Sequence, residues 1–353
     1  MFLALKELRH EKLRYGLVIA MIALISYMIF ILTGLASGLA NQNTAAIDSW
    51  QIKKIVLNKD ADTNLRQSLL TNQEVAKGTQ NHQVSVIGQA TIVAKRPHHA
   101  NISGTFIGIN PNQALASQIK ITTGHQLRGK YQLVVDDSLA DKGLKIGDQL
   151  TFNSDPQKYT IVGFTHNAKM SVTPVIYGNI AAWANIRQLP ATFGGSALVS
   201  SHKNLPAPSA NSKTYPVADF IAKLPGYAAQ NSTFIFMIGF LLVISLIVIA
   251  VFLYIITMQK LPNYAVLRAQ GIPARLLVTA TLLQAGLLTV IGLVIGTLLT
   301  YGTDLALPAG VPVSFDLPLL GLGALGLLLM AFLGALIPGR VIAKVDPITV
   351  IGG

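Results

Sequence analysis

The chain has 353 residues, of which 51% are hydrophobic and only 12% charged, and its mean hydropathy is +0.51. Those values exclude an ordinary soluble enzyme and describe an integral membrane protein. A formal charge of +12 raises nucleic acid as a partner, but it is spread without a basic run or recognition motif, which points to membrane lipid instead, and the lack of cysteine excludes disulfides and thiolate ligation.

Residues 1–16 carry Lys6, Glu7, Arg9, Glu11, Lys12 and Arg14, with Phe2, Leu5 and Leu8 at helical spacing, so a net basic amphipathic helix along the inner membrane surface is expected. Residues 17–39 run without charge, longer than the apolar core of a signal peptide, and read as an uncleaved first span. From 40 to 233 polar residues, prolines, glycines and β-branched runs replace the apolar block over a length that can bury its own core. Strands are predicted at Ile52–Leu57, Val84–Val93, Ile102–Ile109, Tyr131–Val135, Gln149–Asn153, Tyr159–Phe164 and Val172–Tyr177. Helices are predicted at Leu65–Lys77, Ser138–Lys142, Ala181–Leu189 and Val217–Leu224, which makes this a mixed α+β domain with helical stalks.

Further spans follow at 234–258, 276–300 and 317–337, separated by a connector at 259–275 and a short loop at 301–316, and 338–353 closes the chain. The fold class is therefore a membrane protein of four transmembrane α-helices, with a large α+β domain between helices 1 and 2. The connector holds Lys260, Arg268 and Arg275 with no acid, and Arg340 and Lys344 follow the last span. The positive-inside bias then sets both termini and the connector in the cytoplasm and residues 40–233 outside it. Within the connector, the spacing of Tyr264, Leu267 and Ile272 predicts a short half-apolar helix lying against the membrane face or a partner; a plain connector with anchoring charges is the alternative. The pairs Gly34/Gly38 and Gly292/Gly296 allow close helix approach, within the chain or between two copies.

Several motifs imitate chemistry. Gly124–Tyr131 (GHQLRGKY) resembles a phosphate loop, but Tyr131 replaces the Ser or Thr that ligates magnesium, and a strand rather than a helix is predicted next. Gly321–Gly326 (GLGALG) spells a dinucleotide fingerprint inside an apolar span, where helix packing explains it better. The adjacent His98 and His99 lack ligand spacing and read as a solvated loop pair. No nucleophile elbow is present, so no catalytic residue and no metal site is assigned and an intrinsic enzyme is not expected.

One span, a large outside domain and three further spans, with YAVLRAQGIPAR (Tyr264–Arg275) between the second and third, resembles the FtsX-like (MacB-type) permease family of ABC transporters. The resemblance rests also on Val266–Ile272 (VLRAQGI), on the Gly143–Asp148 turn (GLKIGD) and on the closing Asp346-Pro347, and it covers nearly the whole chain. Gln270 departs from the apolar residue many members carry there. Within the family the chain is most similar to permeases of bacterial haem exporters. What the resemblance implies is a homodimer in the bacterial cell membrane, bound to two cytoplasmic ATPase subunits that hold ATP and Mg, with haem as the transported substrate and no intrinsic cofactor. Tyr264, Leu267, Arg268, Gln270, Gly271 and Arg275 would couple to the ATPase. An apolar porphyrin with two propionates suits an intramembrane crevice rimmed by aromatics and cations, for which the candidates are Tyr27, Met28, Tyr227, Gln230, Phe234 and Met237. For each of these the alternative is an interfacial anchor or packing filler. Two other functions stay open within the same fold: a regulatory transmitter that moves no substrate, and export of lipoproteins or antimicrobial peptides.

Overall fold

The computed structural model describes residues 12–97, 99–153, 155–308 and 311–345. The first eleven residues of the predicted amphipathic segment, His98 and Asp346-Pro347 lie outside the described residues. The chain separates into two units, one formed by residues 12–38 and 231–345 and the other by 39–230.

Helix α1 (Lys12–Ser49) opens the described chain and runs ten residues beyond the predicted end of the first span. The polar run after the span sustains the helix by bonding back onto it: Asn43 Nδ2 donates to Leu39 O at 3.0 Å and Thr44 Oγ1 to Ala40 O at 3.2 Å. Ala46, Ile47 and Trp50 then enter the core of the second unit.

That unit contains strands β1 (Lys54–Asn58), β2 (Leu70–Thr71), β3 (Val84–Lys95), β4 (Ile102–Ile109), β5 (Ile121–Gly124), β6 (Gln132–Asp136), β7 (Gln149–Phe152), β8 (Asp155–Thr165), β9 (Lys169–Met170), β10 (Thr173–Asn179), β11 (Phe193–Gly195), β12 (Ala197–Ser200) and β13 (Ser212–Pro216). Its helices are α2 (Asn72–Gly78), α3 (Ala114–Gln118), α4 (Ile180–Ile186) and α5 (Val217–Ala222). The main sheet has the order β13-β1-β12-β3-β4-β10-β6-β8-β5, parallel at β4–β10 and β6–β8, and antiparallel at its other pairings among the described residues. Alternate residues feed two cores, as the period of two along a strand requires. Ile107, Val134 and Tyr177 join Trp50 and Phe220 on one face, while Phe106, Leu133, Val135 and Ile176 join Phe152 and Trp183 on the other.

Two predicted helices differ from what forms. Of Leu65–Lys77 only the second half is helical, because Leu70–Thr71 pairs with β11 and Thr71 caps α2 through a reciprocal box with Glu74. Ser138–Lys142 is reduced to a single 3₁₀ turn at Asp137–Leu139, capped by Asp136. The short strands β2, β5, β9 and β11–β13 were not predicted. They are two to five residues long, and β11 and β12 are rich in Gly, Ala and Ser and are held by long-range pairing.

The first unit holds, besides the start of α1, helices α6 (Tyr227–Gln259, from Asn231 on), α7 (Leu261–Ala269), α8 (Ala274–Ala306) and α9 (Leu317–Ala343). Four helices, α1, α6, α8 and α9, are long and apolar enough to cross a membrane. Packing, rather than escape from water, decides how such helices associate. A Cβ on Gly292 would stand 2.5 Å from Ile22 Cγ2, and one on Gly296 would stand 2.0 Å from Ser26 Oγ, whose hydroxyl bonds Gly292 O at 3.2 Å. Gly34 and Gly38 face Phe315 and the Pro312 carbonyl. Both glycine pairs are thus taken up inside this chain, and neither is left for a contact between copies. Helix α9 continues through Pro338 to Ala343 where the span was expected to stop at 337, its last turn secured by the fully buried Ile342.

Candidate functional site

Between α6 and α8 the chain makes the short helix predicted from spacing, and its polarity of packing is now defined. Lys260 ends α6, donating its N–H to Ile256 O and Thr257 O, and its own carbonyl starts α7 by accepting from Tyr264 N at 3.0 Å. Pro262 sits in the first turn, where a missing N–H costs nothing. The Lys260 ammonium is buried: Nζ donates to Tyr15 Oη at 2.8 Å and stands 5.3 Å from the centroid of that ring. The connector is thereby tied to α1.

Tyr264 turns inward, only 7% exposed, and packs with Leu277 of α8 and Ile342 of α9; Leu267, Ile272 and Val278 close over the same cluster. The opposite side, with Pro262, Asn263, Val266, Ala269, Gln270, Gly271 and Arg275, is exposed. Arg268 lies between the two faces with its Nη1 buried and unpartnered.

The end of α7 explains why a glycine stands at position 271. Gly271 has φ +90°, and its N–H donates to Arg268 O at 3.0 Å while the next N–H, of Ile272, reaches back to Leu267 O at 3.1 Å. This is a Schellman closure, with the apolar contact between Leu267 and Ile272 that accompanies it. Pro273 follows as the N-cap of α8 and prevents the first helix from continuing. The motif VLRAQGIP is therefore a helix stop and restart that fixes a knob between two spans. It offers no nucleophile and no acid–base pair, and among the described residues no group of three or more metal-ligating side chains occurs.

The expected ATPase-contacting residues thus divide: Gln270, Gly271 and Arg275 are exposed, Arg268 is half-buried, and Tyr264 and Leu267 face into the helix packing. Lys260 and Tyr15, the buried pair behind them, carried no local signal, being 245 residues apart.

The six candidates for substrate contact divide between the two units, Tyr27, Met28, Phe234 and Met237 in the first and Tyr227 and Gln230 in the second. Tyr27 Oη is hydrogen-bonded to Thr303 Oγ1 at 3.0 Å, Met28 and Met237 are exposed on the apolar helices, and Phe234 is half-buried on α6. Tyr227 packs against the outer-domain core, and Gln230 Oε1 accepts from Asn43 Nδ2 at 3.3 Å. Two cavities, of about 560 and 400 Å³, lie in the outer domain and are lined by none of these six.

The Gly143–Asp148 turn borders the first of them. Gly143 (φ +81°) and Gly147 (φ +93°) give the backbone its reversals, and Asp148 accepts from Lys145 N at 3.0 Å and from Arg96 Nη1. Burial works against the Asp148 charge, but these bonds and the Arg96 charge outweigh it and hold the carboxyl below its usual range. The turn is structural, a clasp on the end of β3.

Comparison with known proteins matches residues 15–207 to the MacB-like periplasmic core domain and residues 235–347 to the FtsX-like permease C-terminal region. Two relatives, from Staphylococcus epidermidis and Staphylococcus haemolyticus, are each 25% identical over 100% of this chain and 99% of their own. Both bear, provisionally, the name hemin transport system permease protein HrtB. Among solved structures, the periplasmic region of MacB from Actinobacillus actinomycetemcomitans aligns with a TM-score of 0.36 at 11% identity, covering 48% of this chain and 92% of that one.

Proposed function

The chain belongs to the FtsX-like, MacB-type family of ABC transporter permeases, and on that premise we propose that it is the force-transmitting half of an exporter that moves haem, or a similarly apolar toxic compound, outward from the membrane. Members of the family are permease components, not the catalytic subunit, and this one is a multi-pass protein of the cell membrane with an extracellular domain. In the proposed assembly two copies bind two ATPase subunits, which hold ATP and Mg. Both termini and the connector face those subunits, and residues 40–233 lie on the far side of the bilayer.

The observation that carries the coupling role is the construction of α7. Its exposed side, with Gln270, Gly271 and Arg275 and the rim residue Arg268, is what an ATPase would grip, and Tyr264 and Leu267 pass the displacement to α8 and α9 through Leu277 and Ile342. Lys260 passes it to α1 through Tyr15. The haem assignment is supported by the two relatives' names, and its candidate contacts stay Tyr27, Met28, Tyr227, Gln230, Phe234 and Met237.

Two experiments separate these layers. Charge reversal at Arg268 and Arg275 is expected to uncouple ATP hydrolysis from export while the chain still inserts; wild-type coupling in that variant would refute the role of α7. Deletion of the gene is expected to lower haem tolerance, with rescue dependent on the partner ATPase, and unchanged tolerance would remove haem while leaving the coupling role standing.

A further inference from the structure

The outer domain contains an arrangement that force transmission does not use. Arg187 follows helix α4 as its C-cap, and its guanidinium lies over the Trp183 ring, 5.5 Å from the centroid. Its Nη1 is buried without an acceptor, and burial pulls the group below its usual pKa, the sign of a cation that has lost water and gained no counter-charge. Arg66 faces the same cavity of about 400 Å³, whose lining also includes Gln89, Thr91 and Gln188 and contains no acid. Among the described residues neither arginine has an ion-pair partner.

Gln89 adds an independent observation. It is only 3% exposed, and its backbone is satisfied by Ser196 Oγ, which accepts from its N–H at 3.0 Å, and by Trp183 Nε1, which donates to its carbonyl at 2.9 Å. Its side-chain amide has no partner in the protein and borders both this cavity and an adjoining one of about 160 Å³. Of these groups Arg187 Nη1 is the one buried without an acceptor, and such a donor bears a free-energy cost that an acceptor can offset.

We propose that this cavity binds the oxyanion group, carboxylate or phosphate, of a small solute. Arg187 lines the cavity as one cation, Arg66 as a second, exposed one, and Gln89 as a neutral donor. The planar fork of a guanidinium matches two oxygens of such a group, which a halide cannot offer. The site stands apart from the export reading and survives its failure.

The test is tryptophan emission of the full chain in detergent, titrated with sodium phosphate and, separately, sodium succinate, with chloride holding ionic strength constant. The chain has two tryptophans, and Trp50→Phe leaves Trp183, beneath Arg187, as the sole reporter. A saturable change is expected with one or both anions, and the preferred anion identifies the ligand class. Loss of a charge-assisted hydrogen bond predicts that Arg66→Gln and Arg187→Gln each raise the midpoint at least about tenfold. Arg66 is exposed, so its variant folds even where Arg187→Gln does not. The proposal is overturned if neither anion gives a saturable response, if chloride alone reproduces it, or if Arg66→Gln leaves the midpoint unchanged.

Discussion

Gly271→Ala isolates the conformational demand at the end of α7 from every other property of the connector. No atom lies within 4 Å of where the new Cβ would stand, so the substitution meets no clash and its cost is that of a left-handed backbone alone. That cost is about 1–2 kcal/mol for an L residue. If the turn relaxes to escape it, the bonds from Gly271 N to Arg268 O and from Ile272 N to Leu267 O open, and Ile272 leaves its contact with Leu267. The equilibrium between closed and open ends then shifts roughly 5–30-fold. Hydrogen exchange of the amides of residues 271 and 272 in the detergent-solubilised chain reads that factor directly, since local opening limits their exchange. Gly271→Asn, which tolerates the left-handed region, is expected to restore most of the protection. Gly302→Ala, also in open space but inside α8, is expected to leave it intact. Unchanged protection in Gly271→Ala, or equal damage from Gly271→Asn, would refute the reasoning.

Gly296→Ala should lower the thermal stability of the purified chain by about 1–3 kcal/mol, because its Cβ collides with Ser26 Oγ, and Ser26→Gly in the same chain should recover most of the loss. Tyr177→Phe should cost about 1–3 kcal/mol in denaturant unfolding, since it strands the buried Trp50 Nε1–H that Tyr177 Oη accepts at 3.0 Å; adding Trp50→Phe should cost less than the sum. Burial also pushes the Tyr177 hydroxyl up to about 12, so it stays neutral and no alkaline transition near 10 should be seen at this residue. At Glu74 burial acts upward, but hydrogen bonds from Ser209 and from the Thr71 backbone and hydroxyl prevail and hold the carboxyl below its ordinary 4.5. Its contribution is therefore complete above that value and disappears as pH falls through the lower folded pKa, and Glu74→Gln should flatten that acid limb in melts taken from about pH 6 to about pH 3.

What could be read from the residues follows from how local the cause of each element is. A charge-free run longer than a bilayer is thick declares itself, and so does the dense β-branched content of Val84–Lys95 and Ile102–Ile109. Strand β12 does not, since Ala197–Ser200 becomes a strand only because β1 and β3 flank it. The polar stretch after Leu39 hides where the first helix ends for the same reason in reverse: the helix is upheld by Asn43 and Thr44 bonding backwards and by Ala46 and Ile47 entering the core of the second unit. The connector was half legible. Spacing revealed an apolar stripe at Tyr264, Leu267 and Ile272 but not what it meets, because Ile342 comes from a turn beyond Pro338, where the pattern predicts that the helix has ended.

The first helix is tied to the connector by a buried contact. Its first-unit part is held at three levels: Tyr15 by the Lys260 ammonium, Ile22 and Ser26 by the glycines of α8, and Gly34 and Gly38 by the segment before α9. Small residues at the second and third levels bring backbones close enough that a side chain cannot absorb a shift, and interiors packed in this way transmit strain rather than dissipate it. The first level is different in kind, a buried cation whose displacement would leave a charge without its hydroxyl and ring. Movement of α7 away from its resting position therefore has to carry Tyr15 with it or break that contact, and either outcome reaches α1.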